Sequence, residues 1–173
     1  MTPLTQPERV AVARLHALLE LLPAALDKEL APSGLTFFEF TLLEALAESE
    51  HRRLRLSALA SRTNASLPRL SRVVSSLERK QFVVRMPCEE DGRATNAVLT
   101  DAGGEVVART QPRYIEAVRR KILDGLDGGG VAELARLTFD VLSHLDPDRR
   151  LSITADTSAC AADPLPLTPA PVS

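Results

Sequence analysis

Apolar side chains recur every three to four residues along most of this chain, and that spacing predicts α-helices. The longest stripe spans residues 8–30, where Pro23 is expected to kink or break the helix. Thr36 and Glu39 have the spacing of a capping box, while Ser57 and Ser66 are expected N-caps. Together these signals predict helices at residues 8–30, 36–47, 58–63, 66–79, 100–126 and 131–145.

Strand-like alternation is confined to short stretches at residues 53–56, 82–86 and 96–99. The last two flank a charged turn of Asp91, Gly92 and Arg93, so we expect a β-hairpin with an arginine at its tip. Thr100 follows as the N-cap of a long helix, which the glycines at 128–130 separate from the last one. The predicted fold class is mainly α with a small β-wing, the layout of a winged helix-turn-helix.

The positive charge is concentrated in the centre of the chain. Although the net charge is only −2, residues 52–93 hold ten Lys and Arg against four Asp and Glu, a balance of +6, and the remainder carries −8. A basic centre between acidic flanks favours a single surface that faces phosphates. A basic helix followed directly by a basic hairpin therefore indicates double-stranded DNA as the partner.

The composition narrows the class of protein. Apolar residues make up 45% and aromatic residues 3%, which suits stacked helices. No apolar run approaches the ~18–20 residues that span a bilayer, and the N-terminus lacks the pattern of a secretory signal. Two cysteines, Cys88 and Cys160, form no disulfide framework. We therefore expect a cytoplasmic protein that does not enter a membrane, with a disordered, proline-rich tail at residues 148–173.

The candidate DNA contacts lie on the helix at residues 66–79 and around it. Arg69 and Arg72 fall on the side opposite the apolar stripe, where arginine can donate two hydrogen bonds to guanine in the major groove. Asn64 suits a left-handed turn before this helix. The predicted DNA-binding residues are Ser66, Arg69, Ser71 and Arg72 on the helix, Asn64, Arg62 and Arg55 at the phosphate backbone, and Arg93 in the neighbouring minor groove.

Asp91 carries the same charge as phosphate, so we expect it to orient Arg93 rather than to touch DNA. With Leu99, Thr100 and Gly103, these two residues form the pattern D-x-R…L-T-x-x-G. A matching recognition-helix half comprises Leu59-Ala60, Ser66, Arg72-Val73, Leu77-Glu78, Val83 and Arg85. Over residues 8–145 the chain thus resembles the multiple-antibiotic-resistance regulator (MarR) family of bacterial transcription factors, although Asn64 and Gln81 replace its usual glycines.

The resemblance implies a homodimer joined by its first and last helices. Residues 1–35 and 100–147 would form the dimerisation region, and residues 36–99 the DNA-binding region. Such a dimer binds a pseudo-palindromic operator, here as a repressor that a small aromatic or phenolic acid releases. The implied effector pocket is bordered by His16, Phe37, Phe40 and Tyr114.

Three other functions are weighed against this interpretation. A thiol sensor would use Cys88, but the adjacent Glu89 and Glu90 disfavour its thiolate. A winged-helix module that binds proteins instead of DNA conflicts with the basic centre. An enzyme is not expected, because the chain has no glycine-rich phosphate loop and no nucleophile elbow. The three histidines share no metal-ligand spacing, so neither a metal nor another cofactor is expected.

Overall fold

The computed structural model of the protein describes residues 2–88 and 94–155. These ranges form a mainly helical fold with three short strands, which confirms the predicted fold class. In chain order the elements are α1 (Gln6–Leu30), α2 (Phe37–Ala47), β1 (Arg53–Arg55), α3 (Leu56–Arg62), α4 (Leu67–Arg79), β2 (Val83–Pro87), β3 (Thr95–Leu99), α5 (Asp101–Val118), α6 (Gly128–Leu145) and α7 (Ser152–Ala155). The chain divides into two compact units, residues 1–125 and 126–173.

Helix α1 spans Gln6–Leu30 with Pro23 inside it, so the helix does not break at that proline. Two other predicted helix starts are wrong. Helix α3 starts at Leu56, directly after β1, with Arg55 rather than Ser57 at its N-cap. The glycines at 128–130 form the first turn of α6, because the Asp127 side chain accepts a hydrogen bond from the Gly130 N–H (2.7 Å) and caps that helix. A side-chain cap outweighs the low helix propensity of glycine at this end.

The sheet is antiparallel with the strand order β1-β3-β2. Strand β3 is therefore central, pairing Val98 with Arg53 on one side and Leu99 with Val83 on the other. Strands β2 and β3 form the two sides of the predicted wing, whose tip, with Asp91 and Arg93, lies outside the described residues.

The core of the first unit lies between α2, α4, the sheet and the start of α5. Phe40, Leu43 and Leu46 of α2 are fully buried, as is Leu70 of α4. Helix α5 brings Val106 and Val107 against the same cluster. This packing holds α4 on the body of the unit by one face only.

The second unit consists of α6, α7 and the connection between them. The Asp146 carboxylate accepts hydrogen bonds from the backbone N–H groups of Arg150 (3.0 Å) and Leu151 (2.9 Å) and from the Thr154 hydroxyl. These bonds lower the pKa of Asp146, with Thr154 contributing most. The tail predicted from residue 148 therefore begins with a short helix, and residues 156–173 lie outside the described part of the chain.

Candidate nucleic-acid interface

Helix α4 has one buried face and one exposed face. Leu70, Val74 and Leu77 are fully buried. The four predicted DNA-contact residues on and before this helix, Ser66, Arg69, Ser71 and Arg72, are all exposed. The helix thus presents two guanidinium groups, those of Arg69 and Arg72, to solvent on the side away from the buried stripe.

The turn between α3 and α4 determines where α4 starts. Asn64 has a left-handed backbone (φ 52°), as predicted for this turn, and its side chain is exposed. Ser66 occupies the N-cap position, but its side chain makes no capping hydrogen bond. The predicted capping by the Ser66 hydroxyl is therefore wrong. Pro68 lies in the first turn, where the absent N–H costs little.

Arg69 and Arg72 are held differently. The guanidinium carbon of Arg69 lies 4.3 Å from the centroid of the Phe38 ring, within cation–π range. The Nε of Arg72 instead donates to the Pro68 carbonyl of its own helix at 3.4 Å. Within the described part of the chain, the first arginine is thus supported by α2 and the second by its own helix.

Arg85 of β2 ties the wing to the recognition helix. Its Nη1 donates to the Ser75 hydroxyl (3.1 Å) and to the Glu78 carboxylate. Its Nη2 donates to the Ser71 carbonyl (2.9 Å) and to the Ser71 hydroxyl (3.3 Å). One guanidinium therefore spans two turns of α4. The Ser71 hydroxyl, predicted to contact DNA, is engaged here within the protein.

A buried ion pair fixes the other end of α4. The Glu39 side chain is 8% exposed, and both of its oxygens lie 2.8 Å from Lys80 Nζ. Burial raises the pKa of Glu39, but hydrogen bonds from Lys80, Thr36 N–H and Ser76 outweigh it and leave the pKa below its usual value. Glu39 also completes the predicted capping box with Thr36. The start of α2 and the end of α4 are therefore joined by one carboxylate.

The L-T-x-x-G pattern connects α5 to the turn that leaves α4. Thr100 caps α5 by accepting from the Gly103 N–H (3.0 Å), and its hydroxyl donates to the Gln81 carbonyl (2.8 Å). A Cβ on Gly103 would lie only 2.3 Å from the Phe82 carbonyl oxygen. Gln81 is left-handed (φ 62°), which explains why glycine is usual there. The pattern thus holds the start of α5 against the backbone at Gln81 and Phe82, at the base of the wing.

The two other predicted backbone contacts lie next to the helix-turn-helix. Arg62 is exposed at the end of α3, but its Nη2 is 2.5 Å from a Glu48 carboxylate oxygen. Arg55 is exposed at the end of β1. One end of the Arg62 guanidinium is therefore already paired within the protein. The sequence around Arg62 did not predict this pairing, because Glu48, at the end of α2, is fourteen residues away.

A cleft of about 700 Å³ lies between α2 and α5. Its lining includes four carboxylate side chains, Glu44, Glu48, Asp101 and Glu105, and one guanidinium, that of Arg52. Burial, helped by the nearby Glu48 charge, raises the pKa of Glu44 to about 7, although Arg62 opposes the shift. The cleft therefore gains negative charge as the pH rises through neutrality.

The four predicted effector residues do not line this cleft. Phe37, Phe40 and Tyr114 form an aromatic cluster, in which the Tyr114 ring centroid is 4.7 Å from Phe40 and 6.1 Å from Phe37. Burial raises the pKa of Tyr114. Phe40 is fully buried, whereas His16 is exposed on α1. Three of the four residues thus meet, but as packing around the core.

Three further observations concern the cysteine, metal binding and membrane crossing. Cys88, at the end of β2, is only 7% exposed. Among residues 2–88 and 94–155, no group of three His, Cys, Asp or Glu side chains could hold a metal ion, and no helix there has the length and apolar character needed to cross a membrane.

Comparison with known proteins identifies the family. A sequence profile of the MarR family matches residues 33–94. AbsC, a MarR family transcriptional regulator from Streptomyces coelicolor, is 35% identical, with 85% of this chain and 99% of that chain covered and a TM-score of 0.80. Sco3205, a second such regulator from the same organism, solved in complex with DNA, is 35% identical over 86% and 97% of the two chains (TM-score 0.82).

More distant structures share the fold. A variant of Escherichia coli MarR complexed with operator DNA is 23% identical, covers 78% of this chain and 96% of its own, and has a TM-score of 0.69. Among curated protein sequences, none matches this chain. The identity to AbsC and Sco3205 over nearly their whole lengths shows that the chain belongs to the MarR family of winged-helix transcriptional regulators.

Proposed function

We propose that this protein binds a pseudo-palindromic DNA operator as a homodimer, with α4 in the major groove and the wing at the adjacent minor groove. The observation that carries the proposal is the exposed side of α4, where Arg69 and Arg72 stand opposite a fully buried stripe. Sco3205, at 35% identity, was solved in complex with DNA. Arg93 at the wing tip is proposed to enter the minor groove, with Asp91 orienting it.

Phosphate contacts are assigned to exposed groups around α4. We propose that Asn64 and Ser66 contact the DNA backbone or bases at the start of the helix. Arg55 and Arg62 reach the backbone beside them, Arg62 with the N–H donors that Glu48 does not engage. Ser71 is assigned a weaker contact, because its hydroxyl accepts from Arg85.

The homodimer is proposed from apolar side chains that each unit leaves exposed. Helix α1 exposes Leu18, Leu19 and Leu21 at 56%, 64% and 69%. Helix α6 has no buried residue, yet it exposes Leu137 at 48% and Leu145 at 75%. Large exposed apolar surfaces mark interaction sites, and a second copy of the chain is the partner that the family resemblance implies. Sedimentation equilibrium tests this: a monomer at micromolar concentration contradicts the proposal.

Selection of bound duplexes from a random pool tests DNA binding, symmetry and spacing together. We expect two half-sites whose centres are about 10 bp apart, one helical turn. Arg72→Ala should weaken binding to the selected operator by roughly 1–3 kcal/mol without changing the thermal midpoint. Arg109→Ala removes the same charge from an exposed position on α5 and serves as the control. Equal operator affinities for the Arg72 variant and wild type would show that the reading face is misplaced.

Repression and its release by a small molecule form the finer part of the proposal. Operator occupancy by the dimer would block transcription, and an aromatic or phenolic acid near Phe37, Phe40, Tyr114 and His16 would loosen it. The acidic lining of the α2–α5 cleft favours the aromatic cluster over that cleft for an anionic ligand. A thermal-shift screen of phenolic carboxylates beside their uncharged amides tests this. If none of these acids both stabilises the protein and lowers its operator affinity, the effector belongs to another chemical class.

The two alternative functions have less support. A thiol sensor needs an accessible sulfur, and the burial of Cys88 disfavours direct oxidation. Cys88→Ser should therefore leave operator affinity unchanged with and without peroxide. A winged-helix module that binds only proteins predicts no gel shift with any duplex. Retardation of the selected operator, reversed by added salt, separates the two classes.

A further inference from the structure

Within residues 37–40, Phe38 is the residue whose aromatic side chain has no role in the packing of the core. Phe37 stacks with Tyr114, Glu39 pairs with Lys80, and Phe40 is fully buried. Phe38 is half-buried and lies outside the set of side chains that pack against the core cluster. Its described ring contact is with the Arg69 guanidinium, 4.3 Å from the ring centroid.

A ring contact of this kind leaves the hydrogen-bonding capacity of an arginine intact. A guanidinium stacked on an aromatic ring meets it through its flat face and keeps its five N–H donors, which lie in its own plane, available for hydrogen bonds. Within the described residues, Arg69 has no hydrogen bond or ion pair that uses these donors. The stack therefore restricts where the group lies without occupying the edge that reads guanine O6 and N7.

We propose that Phe38 is a specificity-determining positioning residue, which acts through Arg69 and touches no base itself. By holding the guanidinium plane before DNA arrives, the ring reduces the side-chain entropy that Arg69 loses on forming a bidentate contact. The inference rests on the proposed DNA-binding function and deepens it. It assigns the strongest guanine preference of each half-site to the arginine at the start of α4.

Arg72 provides an internal comparison. It lies one turn further along the same exposed side, and among the residues that the structure describes its guanidinium bonds only to the Pro68 carbonyl of its own helix. Removing the Phe38 ring should therefore change discrimination at the base pair that Arg69 reads and leave the base pair read by Arg72 unchanged. A general loosening of α4 would affect both positions.

The test uses the full-length dimer and the operator selected by the wild type. Affinities are measured for that operator and for versions in which each G·C pair is replaced by A·T. Arg69→Ala should abolish discrimination at one position per half-site, a roughly 5- to 150-fold effect. Phe38→Leu, which keeps apolar bulk, should lower discrimination at that same position about two- to fivefold. Phe38→Tyr, which keeps a ring face, should behave as wild type.

The double variant Phe38→Leu/Arg69→Ala separates positioning from general stability. We expect it to match Arg69→Ala, because Phe38 acts only through the arginine. A further loss in the double variant, or a uniform loss at every position in Phe38→Leu, overturns the inference. Failure of the wild type to select any sequence would instead refute the proposed function, and the inference with it.

A measurement without DNA covers the case in which Phe38→Leu folds poorly. The side-chain Nε–H resonance of Arg69 should be shifted upfield by the Phe38 ring current in the wild type and in Phe38→Tyr. Phe38→Ile then serves as the second ring-free variant and should lose the shift. An Arg69 resonance without a ring-current shift in the wild type overturns the proposal on its own.

Discussion

Two adjacent glycines at the start of α5 should respond to alanine in opposite directions. A Cβ on Gly103 would lie 2.3 Å from the Phe82 carbonyl oxygen and 2.7 Å from a Leu99 methyl carbon, and the first contact is backbone. A Cβ on Gly104 would lie 3.4 Å from the Arg52 guanidinium, the far end of a flexible side chain. The same substitution in the same helical turn thus meets very different surroundings.

The expected magnitudes follow from two opposing terms. Replacing glycine by alanine in a helix favours folding by about 1 kcal/mol. Forcing a methyl group into a filled space costs typically 1–3 kcal/mol, and contact with a backbone oxygen places Gly103 at the upper end. We therefore expect Gly103→Ala to lower the free energy of unfolding by about 1–2 kcal/mol, and Gly104→Ala to raise it by up to about 1 kcal/mol.

Urea denaturation followed by far-UV circular dichroism measures both values. All variants must be compared at one protein concentration, because a dimer's apparent stability depends on it. The Gly103 substitution should also weaken operator binding, since the clash lies where α5 meets the base of the wing. If Gly103→Ala is as stable as wild type, the close approach of the Phe82 carbonyl does not require a glycine at this position.

Three other substitutions test the contacts that hold α4. Arg85→Lys keeps the charge but loses the planar guanidinium that bonds several groups of α4 at once, and it should lower the free energy of unfolding by about 1–2 kcal/mol. An unchanged urea midpoint would show that these bonds do not stabilise α4. Lys80→Met leaves the buried Glu39 carboxylate unpaired and should cost about 2 kcal/mol, mostly regained in a double variant with Glu39→Gln; no regain would argue against the ion pair. Because the pKa of Glu44 is raised to about 7, its stabilising contribution is complete below about pH 4.5 and is lost as the pH rises through 7. Glu44→Gln should therefore be more stable than wild type above pH 7 by an amount that vanishes at low pH, and a pH-independent difference would contradict the shifted pKa.

Local signals in the sequence predicted the fold well. The capping box at Thr36 and Glu39, the left-handed turn at Asn64 and the buried stripe of α4 each depend on residues within one or two helical turns. The error at the glycines of α6 has a local cause. Their low helix propensity weakens the first turn, but the Asp127 side-chain cap restores it.

The side chains that hold the candidate interface were harder to predict. Arg85 of β2 reaches Ser71 and Glu78 of α4. Glu39 of α2 meets Lys80 at the end of α4, and Phe38 of α2 meets Arg69 of α4. Such pairs depend on how elements pack, which periodicity does not specify. The sequence therefore indicated which residues are exposed on α4, but not which of them are already engaged within the protein.

The position of β3 in the centre of the sheet has a consequence for how such regulators diversify. Since Arg53 and Val98 face each other across the β1–β3 pair, the stretch between them leaves and rejoins the body of the protein at one place. Its exposed residues can therefore be exchanged while these two points, and the buried side chains such as Leu70 and Val83 that fill the shared core, keep their places. Grafting the exposed residues of this stretch from a related regulator onto this chain should transfer the operator preference of the donor without altering the oligomeric state of the recipient.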